Sequence, residues 1–276
     1  MVAQIDAVVR LLKDGDPDTV RLVKEQFVHS GNEYLHDLEE LVERSDSQVS
    51  CHLRDILETI RHREREEDFE LLCRFFHDSS DVEPALWQLA TVLDPESDIE
   101  GSQFRVEQWG RRFSVKIGGA ISSRERVIAL SEFMADELSF RGNEEDYYNP
   151  KNSLLPRVVD TRSGIPISLV LLYRMVALRA GMIVDGINLP GHFIARHADV
   201  LFDPFHRGRV LTRPDIEGIL RRQGLRLKSC HLYPASPRQI LTRILANLTY
   251  SYDLAGDCHH RSLTDHWVRI LTGSPA

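Results

Sequence analysis

Cysteine is scarce in this sequence, and so are the signals of export. The four cysteines lie far apart, with no short-spaced pair among them: Cys51, Cys73, Cys230 and Cys258. The first ten residues, MVAQIDAVVR, lack the basic-then-apolar order of a signal peptide. Because disulfide frameworks and signal peptides mark secreted chains, the sequence predicts a protein of the reducing cytoplasm.

Basic residues are outnumbered, and long apolar runs are missing. The chain has 34 Lys and Arg against 42 Asp and Glu, a formal net charge of -8, which repels a phosphate backbone. The best apolar stretch, from Ile165 to Val176, is interrupted by Tyr173 and Arg174, and it falls short of the ~20 residues that cross a bilayer. Neither nucleic acid nor a membrane is therefore expected as a partner.

The sequence does contain enough apolar material for a core, because 42% of its 276 residues are hydrophobic. Residues 1–80 have helical periodicity and a weak repeat: LLKDGDPD from Leu11 is echoed by LVERSDSQ from Leu41 and FFHDSSDV from Phe75. In each copy an apolar pair closes one helix and a turn precedes the next. This pattern resembles HEAT-type repeats and predicts antiparallel helix pairs, with turns at 14–18 and 45–47. Unrelated amphipathic helices are the alternative.

Two helices and several short strands are predicted downstream. Ser122 and Glu125 form a capping box for a helix reaching about Phe140. A strongly apolar helix should begin at Pro166, since Pro suits the first helical position, and end before Gly181. Short β-rich runs then follow between turn residues. Helices first and hairpin strands later predict an α+β fold.

Five strings in order resemble the SirB-type branch of the transglutaminase-like superfamily, which belongs to the papain-like group of folds. They are FRGNEEDYYNPKNSLL from Phe140, TRSGIPISL from Thr161, LPGHF from Leu189, FDPFHRG from Phe202 and LTRILANLTYSY from Leu241. The resemblance implies a transglutaminase-like domain at 81–257, with a central helix packed on an antiparallel sheet. The HEAT-like region at 1–80 would precede it, and a C-terminal tail at 258–276 would follow.

The resemblance also implies a Cys-His-Asp site from which the cysteine is missing. In active relatives the nucleophilic Cys begins the buried helix, and the helix dipole and a nearby imidazolium lower its pKa. The His and Asp, which follow on neighbouring strands, correspond to His192 and Asp203. The position of the nucleophile falls on Pro166, and no residue from 163 to 178 is Cys. A two- or four-residue loop around 198–199 would put the residual dyad on one face of the sheet, whereas a three-residue loop would separate it.

Other polar residues nearby are weaker candidates. Ser168 is a candidate substitute nucleophile or a cap of the first helical turn, and the ~100° rotation per residue favours the cap. Asn149, Asn152 and Ser153 either bind a ligand or stabilise their own loop. Arg162 either clamps a carboxylate or ties its loop to a carbonyl.

Metal and cofactor sites are not predicted. Four residues near the C-terminus include ligand types, but adjacent histidines point apart on a regular element and lack a second ligand pair: Cys258, His259, His260 and His266. Two functions are left open. The first is a catalytically degenerate domain that binds a protein or peptide. The alternative is an amide or ester hydrolase that uses Ser168, or a water activated by His192 and Asp203.

Overall fold

The computed structural model describes residues 9–13, 16–30, 34–120 and 122–273. Contacts divide the chain into two compact units, the first ending at Asp68 and the second beginning at Phe69. The division falls twelve residues before the predicted boundary at 80/81. Within the described residues, no helix combines the length and the apolar content that a bilayer crossing requires.

The first unit is helical over its described residues. Residues 9–13 are helical, and helices α1 (Pro17–Ser30), α2 (Leu35–Arg44) and α3 (Ser47–Phe75) follow, the last containing the division between the units. The turn predicted at 45–47 lies at Ser45 and Asp46. Of the turn predicted at 14–18, residues 14 and 15 lie outside the described residues, and the helix already begins at Pro17. Because α2 has 10 residues and α3 has 29, the helices are unequal, and the HEAT-like arrangement stays a prediction.

The second unit contains the remaining helices and strands of the described chain. Its helices are α4 (Val82–Leu93), α5 (Ile99–Ile117), α6 (Ser123–Ser131), α7 (Leu155–Thr161), α8 (Pro166–Arg179), α9 (Arg213–Arg222), α10 (Pro237–Ala255) and α11 (Cys258–Thr272). Its strands are β1 (Arg141–Gly142), β2 (Ser163–Gly164), β3 (Asp185–Leu189), β4 (His192–His197), β5 (Val200–Asp203) and β6 (Arg209–Val210). A π-helical turn spans Glu132–Glu137, and 3-10 turns span Pro150–Ser153, Pro204–His206 and Ser229–Leu232.

Helix α8 is the centre of this unit. Pro166 occupies its first turn, as predicted, and the chain leaves it through Gly181, whose positive φ of 72° suits glycine. The helix is apolar on nearly all sides and contacts α5, β3 and β4. Four side chains predicted to be buried are at most 3% exposed: Leu169, Leu172, Met175 and Val176. The expected α+β core, with a central helix against an antiparallel sheet, is therefore present.

The sheet has the strand order β3-β4-β5-β6, with every neighbouring pair antiparallel. His197 pairs with Val200, which leaves the two-residue loop Ala198–Asp199. Continued by three steps, the same register sets Ile194 across from Asp203. A loop of two residues is one of the lengths predicted to put His192 and Asp203 on the same face of the sheet.

Two parts of the chain differ from the sequence-based expectation. The capping box of Ser122 and Glu125 is present, but regular α-helix stops at Ser131 and the last turn is π-helical. The predicted tail is also corrected, because residues 258–272 form helix α11. Trp267 of this helix is completely buried, with its ring 4.6 Å from that of Phe69.

Candidate functional site

His192 begins strand β4 and Asp203 ends strand β5, so the two side chains meet at the end of this hairpin that lies away from its loop. The Nε2 atom of His192 lies 2.7 Å from Oδ2 of Asp203. Their side chains are 12% and 3% exposed. The predicted geometry of the dyad is confirmed, while its functional role stays a prediction.

A second histidine joins the dyad through the 3-10 turn that follows β5. Such a turn has three residues per revolution and places residues i and i+3 above one another, so His206 lies over Asp203. Its Nδ1 atom is 2.8 Å from the same Oδ2 atom, and the Phe205 amide donates to Oδ1 at 3.1 Å. Sequence reasoning missed His206. The Asp-Pro-x-His spacing is the local signal that points to it.

Asp203 remains ionised in spite of its burial. Burial by itself raises the pKa of the carboxyl group, but the hydrogen bonds and charges of His192 and His206 outweigh this effect and hold the pKa below its usual value. The site therefore contains a buried carboxylate whose Oδ2 atom faces two imidazoles.

The three side chains open into a cleft of about 360 Å³. Helix α9 and the segment before it form the opposite wall, and the other lining residues are Gly191, Arg209, Leu211, Pro214, Asp215, Gly218, Ile219, Arg222 and Gln223. Arg209 forms an ion pair with Asp215, which also accepts the Thr212 amide at 2.8 Å. Among these described lining residues, none offers a hydroxyl, a thiol or an amine.

The aromatic ring of Phe205 lies between His192 and the short strand pair β1–β2, which precedes helix α8. The Phe205 ring lies edge-on to His192, with centroids 6.2 Å apart. The same ring packs on Gly142, where an added Cβ would come within 2.6 Å of it. Gly142 pairs with Gly164, two residues before Pro166.

Ser168 is a structural cap in α8 and does not line the cleft. It is fully buried, and its hydroxyl accepts a hydrogen bond from the Ile165 amide at 3.1 Å. The hydroxyl also lies 2.7 Å from the Asn152 carbonyl and 3.0 Å from the Ile165 carbonyl, the acceptors for its proton. The candidate nucleophile is therefore corrected to the capping role that the sequence left as its alternative.

Cysteine does not replace the missing nucleophile in the described structure. Cys73 is completely buried, and burial, assisted by the charge of Glu70, raises the pKa of its thiol to about 12. The other three cysteines are exposed and free. None of the four lines the cleft.

The candidate binding residues before α8 stabilise their own loop. Asn149 caps the following 3-10 turn by accepting the Lys151 amide at 3.0 Å. Asn152 donates to the Asp146 carbonyl at 2.6 Å, and Ser153 is buried. In the described chain, none of these three lines the cleft.

Within the part of the chain that the structure describes, the Arg162 side chain makes no hydrogen bond or ion pair with a carboxylate or carbonyl of the protein itself. Its guanidinium lies over the Trp109 ring at 4.2 Å and the Phe140 ring at 5.0 Å, a cation–π arrangement. The backbone ties the loop instead, because the Arg141 amide donates to the Arg162 carbonyl at 2.9 Å.

Two of the histidines near the C-terminus, His260 and His266, have separate carboxylate partners. His260 Nδ1 lies 2.6 Å from Asp257 Oδ2, and His266 Nε2 lies 3.2 Å from Glu70 Oε2. Cys258 is exposed at the start of α11.

Comparison with known families agrees with this architecture. Residues 102–246 match the transglutaminase-like superfamily, which is more than half of the chain, and the chain belongs to that superfamily. The SirB-type branch stays a prediction. No solved structure matches the chain.

Similar proteins are found in bacteria and in animals. A UPF0162 protein of Xylella fastidiosa is 35% identical over 156 residues, 50% of this chain and 55% of the relative. A UPF0162 protein of Pseudomonas aeruginosa is 33% identical over 180 residues, 63% of this chain and 66% of the relative. Mouse F-box only protein 21 is 30% identical over 132 residues, 44% of this chain and 21% of the relative. The chain thus spans little more than half the length of the Xylella protein.

Proposed function

We propose that the transglutaminase-like domain of this chain is a catalytically degenerate module that binds a protein or peptide segment in the His192–Asp203 cleft. The observation that carries this proposal is the cleft's lining, which keeps the histidine and the acid but, among the described residues, offers no thiol, hydroxyl or amine as a nucleophile. Acyl transfer of the cysteine type needs a nucleophile within hydrogen-bond reach of its base. The cleft does retain a concave surface with apolar and polar lining residues, which a binding site needs.

The chemistry of the cleft suits a peptide. Leu211, Pro214 and Ile219 provide apolar surface, while the side chains of Arg222 and Gln223 make no hydrogen bond or ion pair within the described residues. A guanidinium donates, and an amide both donates and accepts. Apolar walls with a few convergent polar groups are typical of ligand sites.

An aromatic surface extends from the dyad and enlarges the proposed interface. The Phe205 ring is 5.1 Å from His206 and 6.0 Å from Tyr147, and Tyr147 is 5.1 Å from Tyr148. Tyr148 in turn lies 5.4 Å from Tyr250, and both are 52% exposed. Exposed aromatic side chains are enriched in protein interfaces, which supports a protein or peptide as the occupant.

The relatives and the composition support the same proposal. In F-box only protein 21 the matched region is about a fifth of the relative, so this domain recurs as one part of a longer chain. The net charge of -8 disfavours nucleic acid, and four free cysteines suit the reducing cytoplasm as the place of action.

A display library of random peptides, selected against the purified chain, tests the proposal. Gly218 faces open space in the cleft, with no atom within 4 Å of an added Cβ, so Gly218→Trp fills the cleft without disturbing the core. Gly119→Trp is the matched control, because Gly119 also has no such neighbour. We expect selected peptides to lose at least about tenfold in affinity for Gly218→Trp and to keep their affinity for the control.

The same preparation tests the hydrolase alternative. Fluorogenic amides and esters are offered to the chain and to His192→Ala, and a fluorophosphonate probe reports any activated serine. We expect no turnover above the variant and no labelling. Turnover that disappears in His192→Ala, with no peptide enriched, would replace the binding proposal with a water-activating hydrolase.

A further inference from the structure

We propose that His192, Asp203 and His206 form a binding site for a divalent transition-metal ion, with Zn²⁺ as the favoured occupant. This inference goes beyond the proposed function, because binding of an ion to these residues does not require a peptide in the cleft. It rests on the convergence of three metal-ligand side chains at the end of β5.

The geometry places three donor atoms around one point. His192 Nε2, Asp203 Oδ2 and His206 Nδ1 all lie within 4.8 Å of one another, and each histidine nitrogen is 2.7–2.8 Å from Oδ2. In a tetrahedral site with bonds of 2.0–2.2 Å, the donor atoms are about 3.3–3.6 Å apart. Each histidine nitrogen therefore has to withdraw by about 0.5–0.9 Å from the carboxylate oxygen for an ion to enter. His206 is 54% exposed and has room for this movement.

The donor set suits zinc in particular. Two imidazoles and one carboxylate are the protein ligands of many zinc sites that keep a position for water or a ligand. The same trio can hold Fe²⁺ when it occupies one face of an octahedron, but Zn²⁺ has no preferred geometry from its d electrons and tolerates the set as found. All three residues line the cleft, so a further ligand reaches the ion from solvent.

The charge and the protonation states that these three side chains can adopt are compatible with binding of a divalent cation. The carboxylate supplies one negative charge, and each neutral imidazole carries its single proton on the nitrogen away from the ion. His192 then keeps its proton on Nδ1 and His206 on Nε2, atoms that form no hydrogen bond within the described residues. Of the cationic groups in the cleft lining, Arg209 is paired with the carboxylate of Asp215.

The fold alone does not require the second histidine. One imidazole already satisfies Oδ2 of the buried carboxylate, and a half-exposed partner adds little stability. A metal ion, by contrast, needs both nitrogens.

Metal titration of the full-length chain tests the inference. The protein is stripped with a chelator, and Zn²⁺ is titrated against a chromophoric competitor, while Co²⁺ absorption reports the ligand geometry. His206→Ala is the main variant, since a half-exposed residue can be removed without unfolding the chain. His266→Ala is the matched control: His266 is 50% exposed and also bonded to a carboxylate, that of Glu70.

We expect one Zn²⁺ per chain and a tetrahedral Co²⁺ spectrum. Because loss of an outer partner alone costs 10–100-fold in metal affinity, His206→Ala should weaken binding by at least about that factor, and Asp203→Asn likewise. His266→Ala should bind as tightly as the unchanged protein. Equal affinity of His206→Ala and the unchanged protein, or no binding by the unchanged protein at about 100 µM Zn²⁺, would overturn the proposal. Neither result depends on whether a peptide binds.

Discussion

A carboxylate that is almost fully buried is costly unless its oxygens are hydrogen-bonded. Asp203 meets this condition with three partners, His192, His206 and the Phe205 amide. These interactions hold its pKa low in the folded state. The residue thus links the site to the acid stability of the whole domain.

The sign of this link follows from the direction of the shift. An unfolded Asp titrates at about 3.9, so a lower folded pKa contributes stability above that pH, and the contribution is lost as pH falls through the folded pKa. Asp203→Asn removes the group that titrates. We expect a lower free energy of urea unfolding near neutral pH for the variant, and a flatter decline below about pH 4.

Asp199→Asn is the control for this measurement, because Asp199 is exposed in the two-residue loop between β4 and β5. It should reproduce the pH profile of the unchanged protein. Parallel profiles for Asp203→Asn and the unchanged protein would show that Asp203 does not contribute to the acid dependence.

Gly142 is a second residue whose identity is set by its neighbour. A Cβ at this position would lie 2.6–2.7 Å from three ring atoms of Phe205, closer than any real contact. Because overpacking of a filled core costs about 1–3 kcal/mol, Gly142→Ala should lower the free energy of unfolding by that amount. Gly119→Ala, which meets no atom within 4 Å, should leave the urea midpoint nearly unchanged.

At the scale of elements, local signals predicted some parts well. Pro166 and Gly181 bracket α8 in the sequence as they do in the structure, because both residues restrict or permit backbone angles whatever the surroundings. The hairpin register around Ala198–Asp199 was open between loop lengths in the sequence. The pairing of β4 with β5 in the folded chain decides between these loop lengths, and local sequence signals do not report that pairing.

Other parts of the site depend on contacts that periodicity does not report. His206 joins Asp203 only because the chain turns as a 3-10 helix immediately after β5. The Ser168 hydroxyl reaches the Asn152 carbonyl because the 3-10 turn at Pro150–Ser153 lies beside it. The family resemblance ended at residue 257 and carried no information on the residues that follow. Helix α11, which begins at Cys258, was therefore not predicted.

Helix α11 should prove essential to the second unit. Trp267 is completely buried and packs against Phe69, and truncating a buried Trp to Ala costs about 3–5 kcal/mol. We expect Trp267→Ala to reduce the free energy of urea unfolding by that amount. Leu254→Ala serves as the comparison, since Leu254 is 54% exposed and its loss should change stability by less than about 0.5 kcal/mol. Similar values for both variants would contradict the structural role of α11.

At the scale of the whole molecule, the two units have cores of very different size. Among the described residues of the first unit, eight buried apolar side chains form its cluster: Leu12, Val23, Leu38, Val49, Leu53, Ile56, Leu57 and Ile60. The larger cluster of the second unit takes its residues from Phe69 to Leu271, and a smaller one lies between Ile187 and Leu220. Because a single core in fewer than about 70–80 residues supplies only a few kcal/mol, only the second unit is expected to be stable alone.

A fragment of residues 64–276, which keeps one helical turn before Phe69, tests this expectation. We expect it to unfold cooperatively on heating, as followed by circular dichroism, and to retain the fluorescence of its three buried tryptophans, Trp87, Trp109 and Trp267. A fragment of residues 1–68 should show weak helicity without a cooperative transition. Cooperative melting of the short fragment, or none of the long one, would contradict this division.

The four thiols differ in burial, so their alkylation rates report opening of the core. Cys73 is buried with its pKa raised to about 12, while the others are exposed, and only the thiolate reacts with alkylating reagents. The three exposed thiols, those of Cys51, Cys230 and Cys258, should therefore be alkylated rapidly in the native protein. The fourth should react only when the core around Phe69 and Trp267 opens, so its labelling rate, read by mass spectrometry, measures that opening without any engineered probe.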